Sequence, residues 1–259
     1  MTTNFGKVSS DYAKYRDRLP QVLFEQLKGH GIHLQGSTII ELGSGTGIFS
    51  RDLALQGGHV IGIEPSQSLI DEALKGDSEN SEYTIDYIKG KAEEVILQQH
   101  YPIVIAVRAW HWFEREKVLQ NIRKYLKHSG LLIIIHSIFL PNSSVAKKTF
   151  SVLHKNLVEM KPAGSLADAK ERINGMPAQW FEEWREHSFE LLHAWQHDYE
   201  LSFTHEAWCG KIKSVSWMTN TDEATRARVT KELLEELKNC EKLLNVPHQY
   251  SVVILKKNA

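Results

Sequence analysis

The chain has 259 residues, and its 31 Lys and Arg against 32 Asp and Glu give a formal net charge of −1 at pH 7. Hydrophobic residues make up 42% and charged residues 24%, a composition that fits a folded globular protein and excludes a largely disordered one. The charge balance offers no general basic surface for nucleic acid. The longest apolar run, residues 131–140, is shorter than the about 20 residues that cross a bilayer.

The sequence also gives little reason to expect an exported or metal-binding protein. Cys209 and Cys240 are too few for a disulfide framework or a structural zinc site, and no metal is expected from ligand spacing. Residues 1–10 contain no apolar core of the signal-peptide kind. We therefore expect a cytoplasmic protein in a reducing environment, without a membrane partner.

Predicted strands and helices alternate through the first half of the chain. Strands are predicted at residues 38–42, 59–63, 84–89, 103–107 and 131–135, and helices at 48–56, 66–74 and 114–126, with Gly76 closing the second helix. Apolar strands separated by helices form a parallel sheet that is covered on both faces. The sequence therefore predicts a doubly wound, Rossmann-like α/β fold, in which ligands bind at the carboxyl ends of the strands.

The pattern changes after Pro141. Residues 142–210 are rich in Trp, His and Phe, which predicts a helical insertion followed by a strand near residues 191–199. A long amphipathic helix is predicted over residues 221–244. An apolar strand over residues 249–256 closes the predicted fold.

A glycine-rich segment from Glu41 to Gly47, Glu-Leu-Gly-Ser-Gly-Thr-Gly, joins the first predicted strand to a helix. Its glycines permit a tight turn and the close approach of a ligand, and the following helix presents free N–H groups. The spacing differs from the G-x-G-x-x-G of dinucleotide-binding enzymes, because Ile48 stands where the third glycine is expected. This difference weakens, without removing, the interpretation as a nicotinamide-dependent oxidoreductase.

Glu64 ends the second predicted strand, about 20 residues after the glycine loop. A carboxylate at this position accepts hydrogen bonds from both hydroxyl groups of a ribose. The alternative is a solvated carboxylate at the end of a strand. The combination with the glycine loop favours ribose binding.

These motifs together resemble those of class I S-adenosylmethionine-dependent methyltransferases. The sequence is similar in particular to the small-molecule group related to trans-aconitate methyltransferase. The segments that carry the resemblance are Glu41–Gly47, Ile61–Ser66, Lys91–Glu94, Ala109–Phe113 and Tyr12–Arg16. The resemblance is strong over residues 5–140 and thinner over residues 141–259.

The resemblance implies a seven-stranded, mostly parallel sheet whose last strand is antiparallel, with a helical insertion after the fifth strand. It also implies a single methyltransferase domain over residues 1–259. The expected segments of this domain are an N-terminal helical lid (1–36), a cofactor-binding half (37–140), an insertion that caps the substrate (141–210), and a C-terminal helix and strand (211–259).

The cofactor implied by the resemblance is S-adenosylmethionine, with S-adenosylhomocysteine as its product. The glycine loop would face the methionine part, Glu64 would hold the ribose, and Arg16 on the lid would pair with the cofactor carboxylate. The complete set of implied cofactor-binding residues is Tyr15, Arg16, Glu41, Gly43, Ser44, Gly45, Gly47, Glu64, Pro65, Ser66, Leu69, Ala92, Glu93, Arg108 and Ala109.

Methyl transfer from this cofactor is an in-line displacement, so the protein mainly orients donor and acceptor and excludes water. His111, beyond the fourth strand, is the candidate for a general base or a substrate contact, unless it only orders its loop. We expect a methyltransferase that acts on a small molecule, as a monomer or homodimer without a nucleic-acid partner. The expected acceptor is an oxygen atom, carboxylate or hydroxyl, with nitrogen and carbon as the alternatives. A non-catalytic S-adenosylmethionine-binding protein and a nicotinamide-dependent oxidoreductase are the alternatives.

Overall fold

The structure is a computed structural model that describes residues 14–78, 83–167 and 169–258. The chain forms two compact units and passes between them more than once. Of the described residues, the larger unit contains those within 18–136, 164–196 and 251–258, and the smaller unit contains those within 14–17, 137–163 and 197–250. The single domain with four segments stays a prediction, and the boundaries of the two units fall at other residues.

The described elements alternate as strands and helices up to the fifth strand. They are α1 (Val22–Gly29), β1 (Thr38–Leu42), α2 (Ile48–Leu55), β2 (His59–Glu64), α3 (Gln67–Asp77), β3 (Ile85–Lys89), β4 (Tyr101–Val107), α4 (Arg115–Tyr125) and β5 (Leu126–Phe139). The second half contains α5 (Ser144–Lys155), β6 (Arg172–Ile173), β7 (Met176–Pro177), α6 (Ala178–Glu186), β8 (Phe189–Phe203), α7 (His205–Lys213), α8 (Ser216–Thr219), α9 (Glu223–Leu237) and β9 (Leu244–Lys257). Within the described parts of the chain, no helix has the length and apolar character to cross a membrane.

Seven of the strands form one sheet in the order β3-β2-β1-β4-β5-β9-β8. Its parallel part is centred on β1, where Ile40 pairs with Ile61 of β2 on one side and Val104 of β4 on the other. The sheet as a whole is mostly parallel with antiparallel strands at its end, which confirms the predicted doubly wound fold. Because β1, β2 and β4 run in the same direction, their carboxyl ends meet at one edge, and the segments that follow these strands lie there.

The core of the larger unit includes the side chains of the insertion as well as those of the sheet. Trp180 and Trp184 of α6 are each 1% exposed, and the Trp184 ring lies 6.3 Å from that of Trp110. Burial of one such ring is worth about 3–5 kcal/mol relative to alanine. Arg115 of α4 also donates to both carboxylate oxygens of Glu183 in α6, at 2.6 and 2.7 Å. Apolar packing and this ion pair hold α6 against α4.

The smaller unit is mainly helical, with an apolar core that includes Trp208 of α7. The Lys211 ammonium is buried in this unit, 2.7 Å from the Asp17 carboxylate and 2.6 Å from Nε2 of His248. Partners of this kind offset the cost of removing a charge from water. The helices α5, α7 and α9 begin at residues whose side-chain oxygens accept a backbone N–H bond, namely Ser143, Thr204 and Asp222.

The predicted end of the second helix is wrong. Gly76 lies inside α3, which continues to Asp77. A Cβ at position 76 would stand 2.8 Å from Nη1 of Arg51, so glycine provides room for that side chain. Glycine here reflects packing and not a helix terminus.

Other predicted boundaries differ from the structure as well. The helix predicted over residues 221–244 ends at Leu237, where a turn closes with a hydrogen bond from Cys240 N–H to the Leu237 carbonyl. The fifth strand begins at Leu126 because this residue pairs with β4 across an irregularity in the ladder. The insertion predicted over residues 142–210 also contains the short β6–β7 pair, which was not predicted, and the strand predicted near residues 191–199 is longer in the structure, where it is β8.

Candidate functional site

The loop between β1 and α2 contains three glycines with positive φ angles, 72° at Gly43, 57° at Gly45 and 71° at Gly47. Residues with a side chain rarely adopt this backbone conformation. A Cβ at Gly43 would stand 2.6 Å from the Ala109 Cβ, and one at Gly47 would collide with the Tyr87 hydroxyl. A Cβ at Gly45 would meet nothing within 4 Å. The first and third glycines therefore allow packing within the protein, whereas Gly45 borders open space.

The carboxylate of Glu64 is held beside this open position. Its Oε2 accepts a 3.0 Å hydrogen bond from Gly45 N–H, and its Oε1 accepts a 2.9 Å bond from Ser66 N–H. Glu64 is 6% exposed, and burial raises its pKa, although the two N–H donors act in the opposite direction. Each carboxylate oxygen has capacity for a further hydrogen bond. Glu64 therefore offers two fixed acceptors, which suit the vicinal hydroxyls of a ribose.

Two hydroxyl groups of the same loop suit a polar ligand. Ser44 Oγ and Thr46 Oγ1 are buried and make no hydrogen bond in the described structure. Buried polar atoms usually have a partner, so such atoms require an explanation. The open position at Gly45, the two hydroxyls and the Glu64 carboxylate together fit a ligand with a ribose and a polar extension, as S-adenosylmethionine has.

Glu41, which precedes the loop, makes its closest contact with helix α2. It is 2% exposed, and Ser50 Oγ donates to its Oε2 at 2.5 Å. Burial raises the pKa of Glu41 to about 8, against the lowering effect of the Ser50 bond. The carboxyl group is therefore mostly protonated at neutral pH. Its hydrogen bond with Ser50 joins β1 to α2.

The raised pKa of Glu41 predicts a loss of stability between pH 4.5 and about pH 8. In this range the folded state keeps a proton that the unfolded state releases, so the free energy of unfolding falls by about 1.4 kcal/mol per pH unit. The stability that the protonated Glu41 contributes is therefore fully present below pH 4.5 and is lost above about pH 8. Glu41→Gln cannot ionise, and its unfolding in urea should depend less steeply on pH. Asp52, with a pKa that burial raises to about 6, is common to both proteins. Parallel profiles would contradict the prediction.

Strand β4 ends in an unusual backbone conformation. Arg108 has a φ of 54°, and its N–H donates to the Ile135 carbonyl of β5 at 2.8 Å. Positive φ at a residue with a side chain is costly and often occurs at functional sites. The turn brings Ala109 against Gly43, so the end of β4 packs directly on the glycine loop.

His111 lies in the short 3₁₀ turn Trp110–Trp112 that follows β4. It is 7% exposed, and its ring centroid lies 5.5 Å from that of His136 in β5. The insertion contacts its backbone, because Gly164 leaves room for the His111 carbonyl and Ser165 Oγ donates to that carbonyl at 3.3 Å. His111 is therefore positioned by β4 and by residues 164 and 165 of the insertion.

The loop after β3 is fixed by α4. Asn121 Nδ2 donates to the carbonyl groups of Ala92 and Val95, at 3.0 and 2.8 Å. Oε1 of Glu93 accepts a 3.0 Å bond from Glu114 N–H at the start of α4. Ala92 has no polar side-chain atom, so any polar contact of this residue is made by its backbone, whose carbonyl already accepts the Asn121 bond. The cofactor-binding role that the resemblance implies for Ala92 and Glu93 stays a prediction.

The predicted cofactor-binding residues fall into two groups. Tyr15 and Arg16 belong to the smaller unit, where the Tyr15 ring covers Gly210 of α7. Tyr12, the first residue of the N-terminal segment that carries the resemblance, lies outside the described residues. The larger unit contains the others at the ends of β1, β2 and β4 or after β3, namely Glu41, Gly43, Ser44, Gly45, Gly47, Glu64, Pro65, Ser66, Leu69, Ala92, Glu93, Arg108 and Ala109.

Several residues that shape this site were not predicted from the sequence. Arg51 of α2, Tyr87 of β3 and Asn121 of α4 each contact a predicted site segment. The isolated glycine at position 76, inside a helical pattern, was a usable signal for Arg51. In the parts of the chain that the structure describes, no three His, Cys, Asp or Glu side chains are grouped as for a metal ion.

The chain is similar to known methyltransferases in sequence and in fold. It is 30% identical over 113 residues to a ubiquinone biosynthesis O-methyltransferase of Rickettsia bellii. The matched segment covers 43% of this chain and 47% of that protein. The malonyl-[acyl-carrier protein] O-methyltransferase of Priestia megaterium is 22% identical over 233 residues, 85% of this chain and 81% of that one. The chain spans about half the length of the first curated relatives that it matches.

A solved structure extends the comparison of the fold to almost the whole chain. The SAM-dependent methyltransferase from Thiobacillus denitrificans, in complex with S-adenosyl-L-homocysteine, has a TM-score of 0.55 and 15% identity, covering 96% of each chain. The family described as "Methyltransferase domain" matches residues 40–134, which include the glycine loop, Glu64 and His111. Residues 40–134 therefore match a methyltransferase domain, in a chain whose fold is that of known methyltransferases.

Proposed function

We propose that this chain is an enzyme that transfers a methyl group from S-adenosylmethionine to an oxygen atom, carboxylate or hydroxyl, of a small molecule. The observation that carries the proposal is the Glu64 carboxylate, held by two backbone N–H groups beside the open position at Gly45. S-adenosylmethionine supplies, when bound, a methyl group attached to a positively charged sulfur. A nucleophile can take this methyl group, and the sulfur is then the leaving group. The name O-methyltransferase of the Rickettsia relative supports an oxygen acceptor.

In this proposal the larger unit orients the reactants. Glu64 accepts the ribose hydroxyls, and the loop around Gly45 receives the methionine part. Orientation and exclusion of water by such a site are worth roughly 7–11 kcal/mol of the barrier. A carboxylate acceptor needs no base, whereas a hydroxyl acceptor does, and His111 would then accept its proton. The net charge of −1 supports a small molecule over nucleic acid as the acceptor.

The test is a calorimetric titration of the purified protein with S-adenosylmethionine, S-adenosylhomocysteine and, as a control, NAD. We expect micromolar binding of the two sulfur compounds and none of NAD. Binding of NAD alone would overturn the proposal in favour of an oxidoreductase. A screen of small acids and alcohols with labelled S-adenosylmethionine follows. Tight binding without transfer to any acceptor of either class would favour a non-catalytic S-adenosylmethionine-binding protein.

A further inference from the structure

We propose that Arg51 is a positioning residue for the cofactor, which fixes the distance between the two backbone segments that hold Glu64. The inference rests on the proposed function, because it concerns the same cofactor site. Arg51 lies in the first half of α2 and is 9% exposed. Nothing in its sequence context marks it as a ligand, and its role follows from the contacts of its guanidinium group.

The guanidinium group connects the glycine loop to α3. Its Nη2 donates to the Thr46 carbonyl of the loop at 3.0 Å. Its Nη1 donates to the Asp77 carboxylate at 2.8 Å, in an ion pair whose side chains are 11% and 15% exposed, and approaches the Ala73 carbonyl at 3.4 Å. Arginine is suited to this bridge because its planar fork donates in two directions at once.

Two glycines make room for this bridge. A Cβ at Gly47 would stand 3.0 Å from Nη1 of Arg51, and a Cβ at Gly76 would stand 2.8 Å from the same atom. Gly76 lies inside α3, where glycine weakens a helix relative to alanine. Glycine at position 76 therefore lowers the helix propensity of α3 but leaves the space that the guanidinium occupies.

The bridge joins the two segments that hold Glu64. Thr46 is adjacent to Gly45, whose N–H donates to one carboxylate oxygen of Glu64. Ser66, the N-cap residue of α3, donates its N–H to the other oxygen. The guanidinium contacts α3 at Ala73 and Asp77, in its C-terminal half, and the helix carries this constraint to Ser66 at its N-terminus. The bridge thereby fixes both donors, and with them the direction in which the carboxylate presents its remaining acceptor positions.

The test compares binding of S-adenosylhomocysteine to the wild-type protein, Arg51→Met, Arg51→Lys and Arg115→Met. Arg51→Met keeps an unbranched apolar stem but removes the guanidinium group and its hydrogen bonds, and we expect at least tenfold weaker binding. Arg51→Lys keeps one charged donor and should restore part of the affinity. Arg115→Met is the matched control, since it removes a partly buried ion pair between α4 and α6 of the same unit. It should lower the melting temperature by a similar amount and leave the affinity unchanged.

Titrations are made at a temperature at which circular dichroism shows all four proteins folded. Wild-type affinity in both Arg51 variants would overturn the inference, as would equal losses of affinity in Arg51→Met and Arg115→Met. Absence of binding to the wild-type protein would instead contradict the proposed function. The two failures are therefore distinguishable from the same series of titrations.

Discussion

Replacing Glu64 with alanine is expected to weaken S-adenosylhomocysteine binding by about 100-fold or more. The carboxylate would accept one hydrogen bond from each of two ribose hydroxyls, and a hydrogen bond to a charged group is worth about 1.5–3 kcal/mol. Two such bonds give at least about 3 kcal/mol, which corresponds to the stated loss of affinity. Calorimetric titration measures it directly, with circular dichroism to verify that the variant is folded.

The control for this variant is Glu183→Ala, which removes a carboxylate paired with Arg115 in the same unit. It should bind S-adenosylhomocysteine as the wild-type protein does. The pH dependence gives a second test, because ribose hydroxyls favour the ionised form of Glu64. Since burial raises the pKa of Glu64, affinity in the wild-type protein should begin to fall on acidification at a higher pH than for an ordinary glutamate. Unchanged affinity in folded Glu64→Ala would remove Glu64 from the site.

Alanine at Gly43 is expected to reduce mainly the stability of the protein, whereas alanine at Gly45 is expected to reduce mainly cofactor binding. Both impose a side chain on positive φ, which costs roughly 1–2 kcal/mol. Gly43→Ala also places its Cβ 2.6 Å from the Ala109 Cβ, and such overpacking costs about 1–3 kcal/mol more. Gly45→Ala meets nothing within 4 Å and adds no packing penalty, but its methyl group enters the open position beside Glu64.

Thermal unfolding and calorimetric titration of the two variants separate these effects. Gly43→Ala should lose about 2–5 kcal/mol of stability. Gly45→Ala should lose less stability and bind S-adenosylhomocysteine at least about tenfold more weakly, a loss of about 1.4 kcal/mol in binding. If Gly45→Ala bound the compound as tightly as the wild-type protein, the ligand would not approach the backbone at this position. A small effect of Gly43→Ala would show that β4 can move away from the loop.

The parallel sheet could be predicted from the sequence because its central strands are short apolar runs with helices between them. Residues 38–42 and 103–107 are examples, and the structure buries most of both. The start of β5 could not be predicted, since residues 127–130 are polar or glycine and extend the strand only through the pairing of Leu126 with β4. Local patterns indicate buried elements, whereas strand ends depend on the neighbouring strand.

The candidate site likewise contains a part that could be predicted from local sequence and a part that could not. The glycine loop and Glu64 follow consecutive strands of one sheet, so a local strand–turn–helix pattern is sufficient to bring them together. Arg51 and Asp77 meet only after α2 and α3 have packed, and no periodicity in the sequence records that contact. The contact of Ser165 with the His111 carbonyl joins still more distant segments. Such contacts depend on tertiary packing and therefore escaped prediction.

The interlock of Arg51 with Gly76 has a consequence for the evolution and engineering of related chains. The two positions are expected to covary, because glycine at 76 is needed only while a long side chain from 51 occupies the space beside it. A descendant with a short residue at 51 is free to acquire alanine at 76 and recover about 1 kcal/mol of helix propensity. Sequence libraries that randomise one of these positions should therefore randomise the other with it.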